Sequence, residues 1–275
     1  MLLSEISAFL IVLAYLGVRW QFGRERKVFF TRFIHITMAS WLAENTCIHL
    51  YAFYSYDTRW HAFIDQVPLA IILIWPVVIL SLWDILRYLC VSEKRLPVLL
   101  GMAVFADAFF VESVAVHAGL WRWSEPGPFA VPVIGVCGWA FFAAATAHFI
   151  LRKPKQDMRS LFTHILAVVL STHAALLATW WGALRWLPFL ENLWLWVGLA
   201  WLASAVFSVY SFRQKHSSLL PFWCLGCRIP AVSFFVGLCV VHPPDLKLLV
   251  FIAAFLPPYM MLTPWGKGKI TANLF

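Results

Sequence analysis

Two glutamates, Glu44 and Glu112, stand inside long apolar runs of the sequence. On insertion scales a charged side chain at the middle of a membrane span costs about 2.5–3.5 kcal/mol, so an acid kept at such a depth signals function by default. Both are followed by the same elements in the same order. After Glu44 come Tyr54-x-Tyr56, Val67-Pro68 and then Trp75, seven residues beyond the proline. After Glu112 come Trp121-x-Trp123, Val131-Pro132 and then Trp139, again seven residues beyond the proline. An apolar site disfavours the charged form of a carboxyl group. Two such acids sharing a cavity give a proton donor able to attack an unactivated carbon–carbon double bond. Aromatic faces stabilise the carbocation that results. Asp107 is a third acid candidate, about 140° around a helix from Glu112. The histidines inside apolar runs are His35, His148, His164 and His173, of which His173 is grouped with the substrate-binding aromatics. The alternative for the glutamates is a structural one, as hydrogen-bonding partners between helices.

The elements that must position these residues follow from composition. The chain has 275 residues, 62% apolar and 12% charged, with 16 Trp, 24 Phe and a mean hydropathy of +0.80. A soluble domain carries about 25% charged residues, so a soluble enzyme, a disordered chain and a small disulfide scaffold are excluded. Apolar runs fall near 2–18, 29–51, 67–86, 96–120, 133–151, 160–182, 187–212, 219–241 and 246–263. Each is long enough to approach or cross a hydrocarbon layer of roughly 30 Å. Basic residues crowd alternate connections: Arg19, Arg24, Arg26 and Lys27; Arg87, Lys94 and Arg95; Arg152, Lys153, Lys155 and Arg159; Arg213 and Lys215; Lys267 and Lys269. The remaining connections hold one each, at Arg59, Arg122, Arg185 and Lys247. The net charge of +8 therefore reads as the positive-inside rule rather than as nucleic-acid binding, with the N-terminus outside and the C-terminus cytoplasmic.

The expected fold is an all-α polytopic transmembrane bundle of eight or nine spans in a bacterial-type inner or plasma membrane. Six prolines from Pro221 to Pro258 interrupt the last two spans, which leaves a re-entrant pair as the alternative. The first run contains Glu5 and lacks a basic leader, which predicts an uncleaved helix. Nothing marks a linker, so residues 1–275 form one domain. Within it 29–86 and 96–151 make a parallel helix-hairpin repeat, their Val-Pro steps 64 residues apart, with a fainter third copy in Trp180-Trp181 and Leu187-Pro188.

Several chemistries are excluded by absent patterns. No lysine lies well inside a confident span to anchor retinal, and no clustered-histidine, HExxH, phosphate-loop or GxGxxG signature occurs. Cys224-x2-Cys227 is a single pair and reads as packing of small residues. The expectation is a site with no metal and no cofactor, taking an uncharged polyisoprenoid lipid drawn from the surrounding membrane lipid. The oligomeric state stays open.

The stretch from Trp41 to Trp83, with its Glu, Tyr-x-Tyr, Pro-led helix and internal Trp, resembles the carotenoid biosynthesis membrane protein family, which includes carotenoid 1,2-hydratases. Asp107 to Trp139 resembles that family's acid, W-x-W, Gly-Val-Pro and Gly-Trp block, and the two stretches cover about a quarter of the chain. The resemblance implies cofactor-free addition of water to a terminal isoprene double bond. Glu44 and Glu112 would be the acid/base residues, with Tyr54, Tyr56, Trp121, Trp123 and Trp139 around the substrate. Gly135 stands where the family carries Asn, which marks a divergent member and keeps an isoprenoid cyclase with the same proton donor as the alternative. A lipid transporter or scaffold, its acids coupled to protons, is the alternative from another class.

Overall fold

The computed structural model describes residues 1–23, 25–89, 92–152, 158–186, 191–215 and 220–262. Arg24, Cys90, Lys153, Lys155, Lys267, Lys269 and the Leu187-Pro188 step of the faint third copy lie outside the described residues. The chain is built almost wholly of helices: α1 (Leu2–Phe22), α2 (Arg26–Tyr51), α3 (Leu69–Tyr88), α4 (Leu96–His117), α5 (Val133–Thr146), α6 (Met158–Gly182) and α7 (Leu193–Lys215). Four shorter helices follow: α8 (Phe222–Gly226), α9 (Ile229–Val241), α10 (Leu246–Ala253) and α11 (Leu256–Leu262). Among the described residues, seven segments are long and apolar enough to cross a membrane: Leu2–Phe22, Leu69–Tyr88, Leu96–His117, Val133–Leu151, Leu161–Trp186, Leu193–Tyr210 and Phe222–Val241. They are multi-pass by number. Helix α2 does not join them, because Arg26, Lys27, Arg32 and Glu44 lower its hydropathy, although it is long enough at 26 residues. The last apolar stretch, Leu246–Leu262, is shorter than these.

Helices only was too simple an expectation. Among the described residues, four short strands pair in two antiparallel couples: β1 (Tyr54–Tyr56) with β4 (Trp121–Trp123), and β2 (Phe63–Ile64) with β3 (Val67–Pro68). Three- and two-residue strands carry too little periodicity to be read from a sequence, and the β1–β4 partners lie 67 residues apart at Ser55 and Arg122.

Helix contacts close a ring. α2 packs on α3, α3 on α4, α4 on α5, α5 on α6, and α6 returns to α2. Helices α1, α9 and α10 lie outside this ring against α3 and α4, while α7 packs on α10 and α11. The turns that feed the ring follow local rules. Pro68 and Pro132 occupy the N-cap positions of α3 and α5 in extended conformation, where a missing N–H costs nothing. α3 also contains Pro76, which cannot donate to the carbonyl of Ile72 one turn earlier. The Ser40 hydroxyl of α2, which bonds the Thr37 carbonyl at 3.0 Å, also lies 3.4 Å from that carbonyl, so a neighbouring helix shares a donor where the proline removed one. At its far end α5 continues as a π-helical turn, Ala147–Leu151, whose last carbonyl accepts from Arg32 Nη2 at 2.6 Å.

The strand end of the bundle is tied together by polar contacts. The Glu5 carboxylate of α1 accepts from the backbone N–H of His61 and Ala62, at 3.2 and 2.9 Å, and lies 3.0 Å from His61 Nδ1. Asp57 receives Arg59 through its side chain and backbone N–H, which holds its carboxyl well below the usual range, at about 2. The opposite end gathers Arg19, Arg26, Lys27, Arg87, Arg95 and Arg152 at helix termini.

Candidate functional site

Every helix of the ring contributes a polar or indole side chain to a shared space at the strand end: Glu44 and Ser40 from α2, Trp75 from α3, Glu112 from α4, Trp139 from α5, and Thr172 and His173 from α6. Together with the two strands they line one cavity of about 60 Å³. That is several times the roughly 10–15 Å³ needed to hold a water molecule. Successive side chains of a strand point to opposite faces. Accordingly Tyr54, Tyr56, Trp121 and Trp123 all line the cavity, while Ser55 and Arg122 face away and bond to one another at 3.1 Å. The strands thus cap the ring with four aromatic rings.

The two carboxyl groups are held differently. Glu112 is buried and accepts three indole N–H groups: Oε2 from Trp121 at 2.7 Å and from Trp123 at 2.9 Å, and Oε1 from Trp139 at 2.8 Å. Glu44, also buried, is bonded at Oε1 by the Trp75 indole and at Oε2 by the Tyr56 hydroxyl. Burial first, and the nearby Glu44 carboxyl second, push the Tyr54 and Tyr56 hydroxyls well above the usual phenol range, so both remain neutral. Trp75 and Trp139 stack with ring centroids 3.7 Å apart and planes 18° apart, so the two indoles that serve different glutamates meet face to face. His173 bonds the Thr46 hydroxyl through Nε2 at 2.8 Å and packs against Tyr51.

The elements that recur in the sequence therefore meet in matched pairs. Tyr54 pairs with Trp123 and Tyr56 with Trp121 across the strands, about a local two-fold axis through Ser55 and Arg122. Gly135 is the point where the Trp123 ring reaches α5, and a Cβ there would collide with the indole. A larger side chain at this position is incompatible with that ring placement.

Of the ten residues singled out from the sequence, nine line this cavity and Asp107 does not. Five residues from Glu112, its side chain leaves the ring and bonds Arg228 and the Tyr259 hydroxyl. Arg228 also donates to Ser81 Oγ at 2.7 Å. Arg228 is half-buried and paired, fastening α9 and α11 to α3 and α4. A separation of 121 residues hid that pair from the sequence. Trp residues as carboxylate donors were likewise missed, although an indole N–H that is buried needs an acceptor and acids were the nearest ones. Ser40, Thr172 and Phe142 line the cavity with no sequence signal to announce them.

An aromatic cavity with two acids and, among its described lining, no Lys or Arg can donate a proton, stabilise a cation and hold a water. No protein-family model, curated protein or solved structure matches the chain.

Proposed function

We propose that the chain is an integral-membrane enzyme that acts on an isoprenoid or carotenoid lipid by acid-initiated carbocation chemistry, adding water to a terminal isoprene double bond. The observation that carries this reading is the meeting of Glu44 and Glu112 in one cavity walled by Tyr54, Tyr56, Trp75, Trp121, Trp123 and Trp139. Protonation of a trisubstituted alkene leaves a tertiary cation. The ring faces and a carboxylate are complementary to that charge, which is where catalysis is gained. Neither step requires a cofactor.

The reading includes nine crossings, counting α2 and the α10–α11 stretch, with the strand end and the N-terminus outside and the basic end in the cytoplasm. The crowding of Arg and Lys at one end of the helices supports that orientation. It also includes descent of 29–86 and 96–151 from one repeated hairpin, supported by the two-fold pairing of β1 with β4.

Expression in a host that accumulates acyclic carotenoids, followed by mass analysis of the pigments, tests the activity; products heavier by one water are expected. Glu44→Gln should lower conversion about 10²–10⁴-fold per folded protein, the range for loss of a general acid. Normal turnover in both Glu44→Gln and Glu112→Gln would end the proposed mechanism, whereas absence of any conversion by the wild type would favour a transporter or scaffold. A specific observation also favours a cyclase: the Trp123 ring covers Gly135, so this wall offers no amide to position water. Cyclisation gives a product of unchanged mass.

A further inference from the structure

Two acids and no Lys or Arg among the described lining residues share one cavity. Like charges at close quarters disfavour double ionisation, so the pair is most stable holding one proton between them. The hydrogen-bond partners decide where that proton sits. An indole N–H is a donor only, an ionised carboxylate is an acceptor only, and a phenol hydroxyl is both. All three partners of Glu112 are indoles, and two of them converge on Oε2. Such a shell satisfies a carboxylate and offers no acceptor to an acid O–H. N–H groups aimed at an anion are also the stronger kind of hydrogen bond. At Glu44, Oε1 accepts from Trp75, while Oε2 meets the Tyr56 hydroxyl, whose oxygen can accept an acid proton.

We infer that Glu44 carries the shared proton on Oε2, that Glu112 stays a fixed carboxylate, and that Glu44 alone serves as acid and then as base. This rests on the acid-initiated reading above and assigns the roles within it. The alkene π electrons form a C–H bond with the Glu44 proton, and the broken O–H bond leaves its electron pair on Oε2. The tertiary cation then lies between the aromatic rings and the Glu112 carboxylate. A cavity water forms the C–O bond with a lone pair and returns its surplus proton to Glu44 Oε2. Alkene and water have become a tertiary alcohol, and both glutamates end as they began.

The test is infrared spectroscopy of the full-length protein in lipid vesicles, with glutamate carboxyls labelled with carbon-13 to identify their bands. A label-sensitive carbonyl stretch of a protonated acid is expected in the wild type. It should vanish in Glu44→Gln, shift in Tyr56→Phe, where its hydrogen bond is lost, and stay in place in Trp139→Phe. Persistence of the band in Glu44→Gln, a shift with Trp139→Phe but not with Tyr56→Phe, or no such band in the wild type would each overturn the assignment. If Glu44→Gln fails to fold, Tyr56→Phe against Trp139→Phe still decides. Pigment conversion is scored separately. The expected bands without conversion would retain the proton assignment and remove the enzymatic reading, whereas conversion with the opposite bands would do the reverse.

Discussion

The indole N–H groups around Glu112 set how much a single atom matters in this site. Trp139→Phe keeps a ring in the stack with Trp75 but removes the donor to Oε1, leaving part of a buried carboxylate without a partner. An unsatisfied buried polar group costs about 1–3 kcal/mol, more when charged. Trp139→Phe should therefore lower thermal stability in detergent and slow conversion together, while Trp139→Ala should do worse by opening a cavity as well. Gly135→Ala is the sharpest steric probe. Its Cβ would displace the Trp123 ring from its place over α5, and with it one of the two N–H donors at Glu112 Oε2. Overpacking of this sort costs about 1–3 kcal/mol. A Gly135→Ala variant with wild-type melting temperature and wild-type conversion would contradict the described packing.

At the scale of elements, α3 and α2 are coupled through a missing hydrogen bond. Ser40 donates to the Ile72 carbonyl, which lost its helical partner to Pro76. Pro76→Ala restores an N–H to that carbonyl, so Ser40→Ala should cost less stability in the Pro76→Ala background than in the wild type. A double-mutant cycle on thermal unfolding should show coupling of about 0.5 kcal/mol or more. Additive effects would mean that the serine is not compensating for the proline. The same elements show what a sequence reveals. Val-Pro at a helix start and a tryptophan two turns later, at Trp75 and Trp139, are local signals, and each fixes which face of α3 or α5 meets the ring. The strands were illegible because Tyr54-x-Tyr56 gains its conformation only from Trp121-x-Trp123, a partner on another hairpin. Glu5 was visible as an acid, but its targets are the backbone N–H groups of His61 and Ala62, which carry no side-chain signature.

Across the whole molecule, the ring that forms the cavity and the outer helices that brace it are fastened by different chemistry. Asp107 and Arg228 join α4 to the segment before α9, with Ser81 and Tyr259 completing the cluster. Removing one partner of a buried pair leaves an uncompensated charge and costs about 3–5 kcal/mol, whereas replacing both with apolar residues is often neutral. Asp107→Leu and Arg228→Met should each unfold the protein at markedly lower temperature, and the double variant should recover much of the loss. Conversion per folded molecule should change little, since the pair lies outside the cavity; a specific loss of turnover in the stable double variant would place Asp107 back in the chemistry. This pair also marks the limit of reading from composition. Hydropathy marked nine apolar runs, seven of which match segments that are long and apolar enough to cross a membrane among the described residues, yet it treats every arginine near a span end alike. Arg228 differs from Arg26 and Arg152 in pairing, among the described residues, with an acid on a helix distant in the chain.

The face-to-face contact of Trp75 with Trp139 has a use beyond its place in the cavity wall. Chromophores with centroids 3.7 Å apart do not absorb light independently. Their coupled transitions should give a paired positive and negative band in ultraviolet circular dichroism, and the couplet should disappear when either ring is replaced by leucine. Assembly of the two hairpins around the glutamates could then be followed optically in purified protein, with no pigment, label or turnover required.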